Sequence, residues 1–117
     1  MTSRLAYAGL AVVLVAALAF EVATTDTSWW IVVVFLLGPD IALFAGIGSG
    51  LEKGQLHPRA VPFYNALHRY WGPAALALAS VVLPDGWLAA ALAWAVHISV
   101  DRAVGYGLRT AEGYQRS

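Results

Sequence analysis

Trp87–Leu108 reads WLAAALAWAVHISVDRAVGYGL, a proline-free run of 22 residues dominated by alanine, leucine and valine. At ~1.5 Å per helical residue it can cross a hydrocarbon core of ~30 Å. Yet its second half carries His97, Asp101 and Arg102, costly groups for such a place. His97 and Asp101 stand four apart, so a helix puts both on one face.

Three further stretches upstream have the same character. Leu5–Ala23 is apolar apart from Glu21. Trp29–Ile47 is interrupted by Gly38-Pro39-Asp40. Ala60–Leu83 holds Asn65, His68 and Arg69 in its first half. Between them lie the polar run at 24–28, the glycine-rich stretch 46–58 and the Pro84-Asp85-Gly86 turn. The expected fold is all-α, one domain over 1–117: a bundle of four transmembrane helices at about 5–23, 29–47, 60–83 and 87–108. Ala17-Leu18-Ala19 resembles the small-residue site where secretory leaders are cut. The first segment is nonetheless expected to stay as a helix of the fold.

Composition agrees. Of 117 residues, 60% are hydrophobic and 12% charged, with a mean hydropathy of +0.67. Soluble domains carry roughly 25% charged residues, and a chain this short could not bury so much apolar surface alone. Seven Lys+Arg balance seven Asp+Glu, which leaves no basic footprint for nucleic acid. Without cysteine there is no disulfide framework and no thiolate chemistry.

Loop cations set the orientation. If the segments alternate, Arg4, Lys53, Arg59, Arg109 and Arg116 share one side, and the other receives Asp26 and Asp85. Both termini and the 48–59 loop are therefore expected in the cytoplasm of a bacterial-type inner membrane. Trp29, Trp30 and Trp87 then fall at the opposite interface, where amphipathic rings settle.

Depth is the informative coordinate. Asp40, His68 and Asp101 each lie about 10–12 Å from the cytoplasmic ends of their helices, and His97 one turn deeper. Four ionisable groups from three helices thus share a layer. His and Asp there are the right types for proton transfer near neutral pH. Tyr64, Asn65, Trp71, Trp94, Arg102 and Tyr106 are candidates to line a substrate cavity around them. The bland alternative pairs Asp40 with Arg69 and Asp101 with Arg102 as ion pairs, with Asn65 and the histidines as interhelical glue worth ~0.6–2 kcal/mol apiece.

The strings Ser28-Trp29-Trp30, FLLGPD at Phe35–Asp40, Pro58-Arg59, YNALHRY at Tyr64–Tyr70 and WAVHISVDRAVGYGL at Trp94–Leu108 bring a family with them. Over about residues 4–113 the chain resembles the small integral-membrane family known as domain of unknown function 4260. The resemblance implies the fold and a membrane location. It implies characteristic polar positions at Asp40, Asn65, His68, His97, Asp101, Arg102 and Tyr106, and no activity. Departures are the absence of an acidic residue near Tyr7-Ala8, the inserted SGLEKGQLH between the second and third helices, and an early close at Gly113-Tyr114-Gln115.

Three functions compete. The preferred one is a membrane-embedded enzyme with Asp40, His68, His97 and Asp101 as acid–base groups. It would cyclise or isomerise a hydrophobic, polyketide- or isoprenoid-like substrate. A proton-coupled transporter or channel is the second; with four helices it calls for a homo-oligomer. A metal-dependent enzyme is the third, since two His and two Asp form a plausible ligand set. The expected arginine pairings disfavour it, because a divalent ion would leave the layer at +2, so no metal and no cofactor is expected. Membrane lipid and the substrate are the expected partners. Gly46-x-Gly48-x-Gly50 lacks the Lys-Ser/Thr of a phosphate loop, and Ser80 has no triad partners nearby.

Overall fold

The computed structural model describes residues 2–48 and 50–115. Regular structure begins with α1 (Thr2–Thr24) and α2 (Trp29–Leu37). A 3-10 turn at Gly38–Ile41 then runs into a short α3 (Ala42–Ala45). After the loop, a 3-10 turn at Pro58–Ala60 leads into α4 (Val61–Leu67), followed by α5 (Trp71–Ala79) and α6 (Trp87–Ala103). Among the described residues the extended pairing is confined to a bridge between Arg109 and Gln115. The fold is all-α.

The central element is α6, which packs against α1, α2 and α5. Its alanines make that possible. Ala89, Ala90 and Ala93 are fully buried, as are Ile98 and Ser99 further along; small side chains let neighbouring backbones come close in an apolar setting. Gly72 of α5 is part of the same close approach, since a Cβ there would collide with the Trp94 ring. Arg4 Nε donates to the Ala103 carbonyl at 3.1 Å, so the start of α1 lies beside the end of α6. At the far end the Asp26 amide meets Asp85 at 3.4 Å. α1 and α6 therefore run antiparallel. Arg4, Lys53, Arg59 and Arg109 gather at one end through the 46–60 loop and the C-terminal segment, which meet where the Leu56 amide donates to the Gly113 carbonyl at 2.9 Å. Arg116 lies outside the described residues.

Continuity is where the structure departs from expectation. Among the described residues one helix, over Ser3–Thr24, is long and apolar enough to cross a membrane; Trp29–Ile41 is a shorter apolar run. The second expected helix, 29–47, breaks at Gly38-Pro39 into a 3-10 turn, because Pro39 has no N–H to continue the ladder. The third, 60–83, is two helices parted at His68–Tyr70, and α5 ends at Ala79. The fourth, 87–108, stops at Ala103. There Gly105 adopts φ +103°, the Tyr106 amide bonds back to the Asp101 carbonyl at 2.7 Å, and the Gly105 amide to the Arg102 carbonyl. This is the two-bond glycine cap that ends many helices.

Candidate functional site

Both helix interruptions occur where the polar residues sit. The α2 break turns Asp40 toward α6. The α4–α5 break leaves helical carbonyls without backbone partners, and side chains take them. Trp94 Nε1 donates to the Leu67 carbonyl at 2.7 Å, and Arg102 Nη2 to the His68 carbonyl at 3.1 Å. Irregular backbone in an apolar molecule survives when its polar groups are re-satisfied this way.

His68 then lies buried at the end of α4, stacked on the Tyr64 ring at 4.0 Å between centroids. Its Nδ1 is 2.7 Å from the Tyr64 carbonyl. His97, from α6, places its own Nδ1 2.7 Å from the Leu36 carbonyl. A carbonyl only accepts, so each Nδ1 carries the hydrogen and each Nε2 faces inward. The two Nε2 atoms are 3.2 Å apart. Asp40 Oδ1 is 3.1 Å from both, and Asp101 Oδ2 is 3.2 Å from both. One atom from each residue thus lies within 4.8 Å of all the others.

The arginine pairings expected from the sequence do not form. Arg102 commits Nη1 to the Tyr7 hydroxyl at 3.1 Å and Nη2 to the His68 carbonyl, with its guanidinium 5.0 Å from the Tyr70 ring centre. Arg69 is exposed and lines a separate surface groove with Trp71. The carboxylates are left to the histidines.

A cleft of about 340 Å³ opens from Asp40 and Asp101 toward the loop end, lined further by Tyr64, Tyr106, Arg109 and Gln115. Of the residues considered as cavity lining, Tyr64 and Tyr106 border this cleft. Trp94 borders a smaller apolar cavity of about 130 Å³ with Phe35 and Pro39. Trp71 is 79% exposed and away from the cluster. Asn65 clamps the C-terminal segment, accepting from the Arg109 amide at 2.7 Å and donating to its carbonyl at 3.0 Å. Sequence reading did not single out Arg109 as a site residue. Its guanidinium covers the Tyr64 ring at 4.9 Å, while Nη1 holds the Gly54 and Gly113 carbonyls. Its place directly after the GYGL string was the available signal. Tyr7 and the Leu36 carbonyl were also missed, and a backbone oxygen leaves no mark in a sequence.

An all-helical molecule, largely apolar outside and holding two histidines and two aspartates in contact at a helix break, defines the class. The chain belongs to the family described as Domain of unknown function (DUF4260), whose profile matches residues 4–117, essentially its whole length. No curated protein matches it, and no solved structure does.

Proposed function

We propose that the chain is a small multi-pass membrane protein and that the His68–His97–Asp40–Asp101 cluster is an intramembrane catalytic centre for a hydrophobic substrate. Its four apolar segments, the broken ones included, cross the bilayer with both termini cytoplasmic. The exposed surface supports the membrane half of this reading: Val12, Phe20, Trp29, Phe44, Leu78 and Val82 are each 66–86% exposed, large apolar side chains that a bilayer would cover. One observation carries the catalytic half. Four ionisable groups from three segments converge to hydrogen-bond distance at the head of a cleft that reaches the loop surface. Helix glue needs no such concentration, since apolar packing holds helices as well.

In this reading Asp40 and Asp101, at the cleft, take or return protons, and the two imidazoles hold them. Tyr64 and Tyr106 flank the reacting part of the substrate, and its apolar remainder lies against the membrane-facing side. Cyclisation or isomerisation fits best, because in both a π bond of the substrate is broken as the new bond forms, and the centre has only to move protons, with no oxidant, reductant or leaving group. Broken helices around a charged centre also favour a second reading, a proton-coupled transporter.

The test compares hydrophobic extracts of membranes carrying wild type, Asp101→Asn or His97→Ala. An acid–base centre predicts a species formed by wild type whose formation falls ~10²–10⁴-fold in variants that remain inserted and monodisperse. Proton-coupled flux in liposomes without product would favour transport. Identical extracts and unchanged flux, with only a loss of thermal stability in the variants, would leave the cluster as helix glue.

A further inference from the structure

The geometry points to a metal centre: the cluster is a ready-made site for one divalent first-row transition ion, zinc foremost, bound by Nε2 of His68 and His97, Oδ1 of Asp40 and Oδ2 of Asp101. This rests on reading the cluster as a working site but not on which reaction it performs. It reverses the expectation, drawn from the sequence, that arginine pairing leaves no room for a cation.

Distance is the first argument. Tetrahedral zinc sits about 2.0–2.1 Å from nitrogen and 2.0–2.2 Å from oxygen, so its ligand atoms are about 3.3–3.5 Å apart. Five of the ligand-to-ligand separations here are 3.1–3.2 Å. On those five edges the metal–ligand distances would be about 1.9–2.0 Å, within the ~0.2 Å tolerance of a credible site. The sixth separation, between the two carboxylate oxygens, lies within 4.8 Å, and an ion would draw Asp40 and Asp101 together to close the tetrahedron.

The second argument is hydrogen placement. Metal-bound histidines nearly always donate their other ring N–H to a carbonyl or carboxylate, which fixes the tautomer and the ring. Both histidines do so here, to Tyr64 and Leu36 at 2.7 Å. With Nδ1 protonated, each neutral ring presents a lone pair to the other ring and to both carboxylates. Protons can relieve this only in part. Each Nε2 accepts one, and two N–H groups would then confront each other across 3.2 Å. A single cation at the centre serves all four atoms together.

Charge is the third. Arg102 and Arg69 do not pair with the carboxylates, so two carboxylates and two neutral imidazoles carry −2, which a divalent ion cancels. Mixed nitrogen and oxygen donors suit zinc, manganese, iron or cobalt better than magnesium or calcium, which prefer oxygen alone. The cleft at Asp40 and Asp101 gives the ion a route in from the loop surface.

The experiment uses the full chain purified in detergent without chelator or histidine tag, stripped, then titrated with ZnCl2 and, separately, CoCl2. The expected result is about one equivalent of metal per chain, visible cobalt d–d bands of tetrahedral intensity, and a higher melting temperature with metal. Asp101→Asn and His97→Gln should each weaken binding by more than ~100-fold, exceeding what loss of an outer-shell partner costs. Glu21→Gln, a carboxylate change at the other end of α1, should bind as wild type. Folding of the variants is checked by size exclusion and circular dichroism. If Asp101→Asn fails to fold, the cobalt spectrum of wild type decides. Binding below 0.1 equivalent (about a tenth of a full site) would overturn the proposal, as would an octahedral, low-intensity spectrum or binding that survives both substitutions. The two readings fail separately. Metal bound without turnover retires catalysis and supports the centre, while turnover in metal-free protein retires the centre and leaves catalysis standing.

Discussion

Trp94 illustrates how one side chain does two jobs at residue scale. Its ring fills the space above Gly72 and packs on Phe35 at 6.1 Å, while its Nε1 caps the Leu67 carbonyl. Trp94→Phe keeps most of the packing and orphans that carbonyl, a loss of about 1–3 kcal/mol for an unsatisfied buried group. Thermal unfolding in detergent should register it; an unchanged midpoint would mean that water replaces the indole. The position was legible as an aromatic near the site, yet not its role, because the partner is a backbone oxygen exposed by a helix break. The same holds for His68 and His97. Their residue types and depths can be read from spacing, whereas the carbonyls that orient them depend on tertiary contacts. The arginine pairings went wrong for a related reason. Sequence neighbours such as Asp101 and Arg102 point about 100° apart on a helix, and Arg102 found tyrosines on the other side.

At the scale of elements, hydrophobic runs locate the helices and say little about where each is interrupted. Gly38-Pro39 announces its own break, since proline removes a donor. The His68–Tyr70 break has no such marker. It is stabilised from outside by Trp94 and Arg102, so only the assembled structure reveals it. The apolar GYGL string carries the expected end of α6 to Leu108, five residues past the observed end at Ala103, although Gly105 is the stop. Gly105→Ala puts a Cβ at φ +103°, which costs about 1–2 kcal/mol for a left-handed conformation. The cap also holds the Asp101 carbonyl through the Tyr106 amide. The substitution should therefore lower the melting temperature and loosen the last turn of α6, seen as faster amide exchange at 101–106. Equal exchange in both proteins would show that the cap does not anchor Asp101.

At the scale of the whole molecule, cation counting in loops and hydropathy together give an alternating chain with Arg4, Lys53, Arg59 and Arg109 at one end. The contacts between Arg4 and Ala103 and between Asp26 and Asp85 show α1 and α6 antiparallel, one pair of that arrangement. Placement in a bilayer is tested by cysteine labelling of Lys53→Cys and Asp85→Cys in sealed vesicles. A membrane-impermeant maleimide should reach one and not the other, the lysine position from the cytoplasmic side. Labelling of both from the same face would sink the four-span reading. The all-helical class was legible because predominantly apolar runs of about 20 residues are too long for strands and read as helices. The tight meeting of the four polar side chains was legible only as a shared depth, since helix rotation and the two breaks set their final distances.

The alanine half of α6 has a consequence for traffic. Ala89, Ala90 and Ala93 leave no exposed surface there, while the cleft at Asp40 and Asp101 faces the opposite, loop-rich end. By this cleft the cluster is approached from the loop-rich end. Anything polar that comes in this way enters from the loop side, and passage onward along α6 would mean parting a seam in which three alanine side chains are wholly covered.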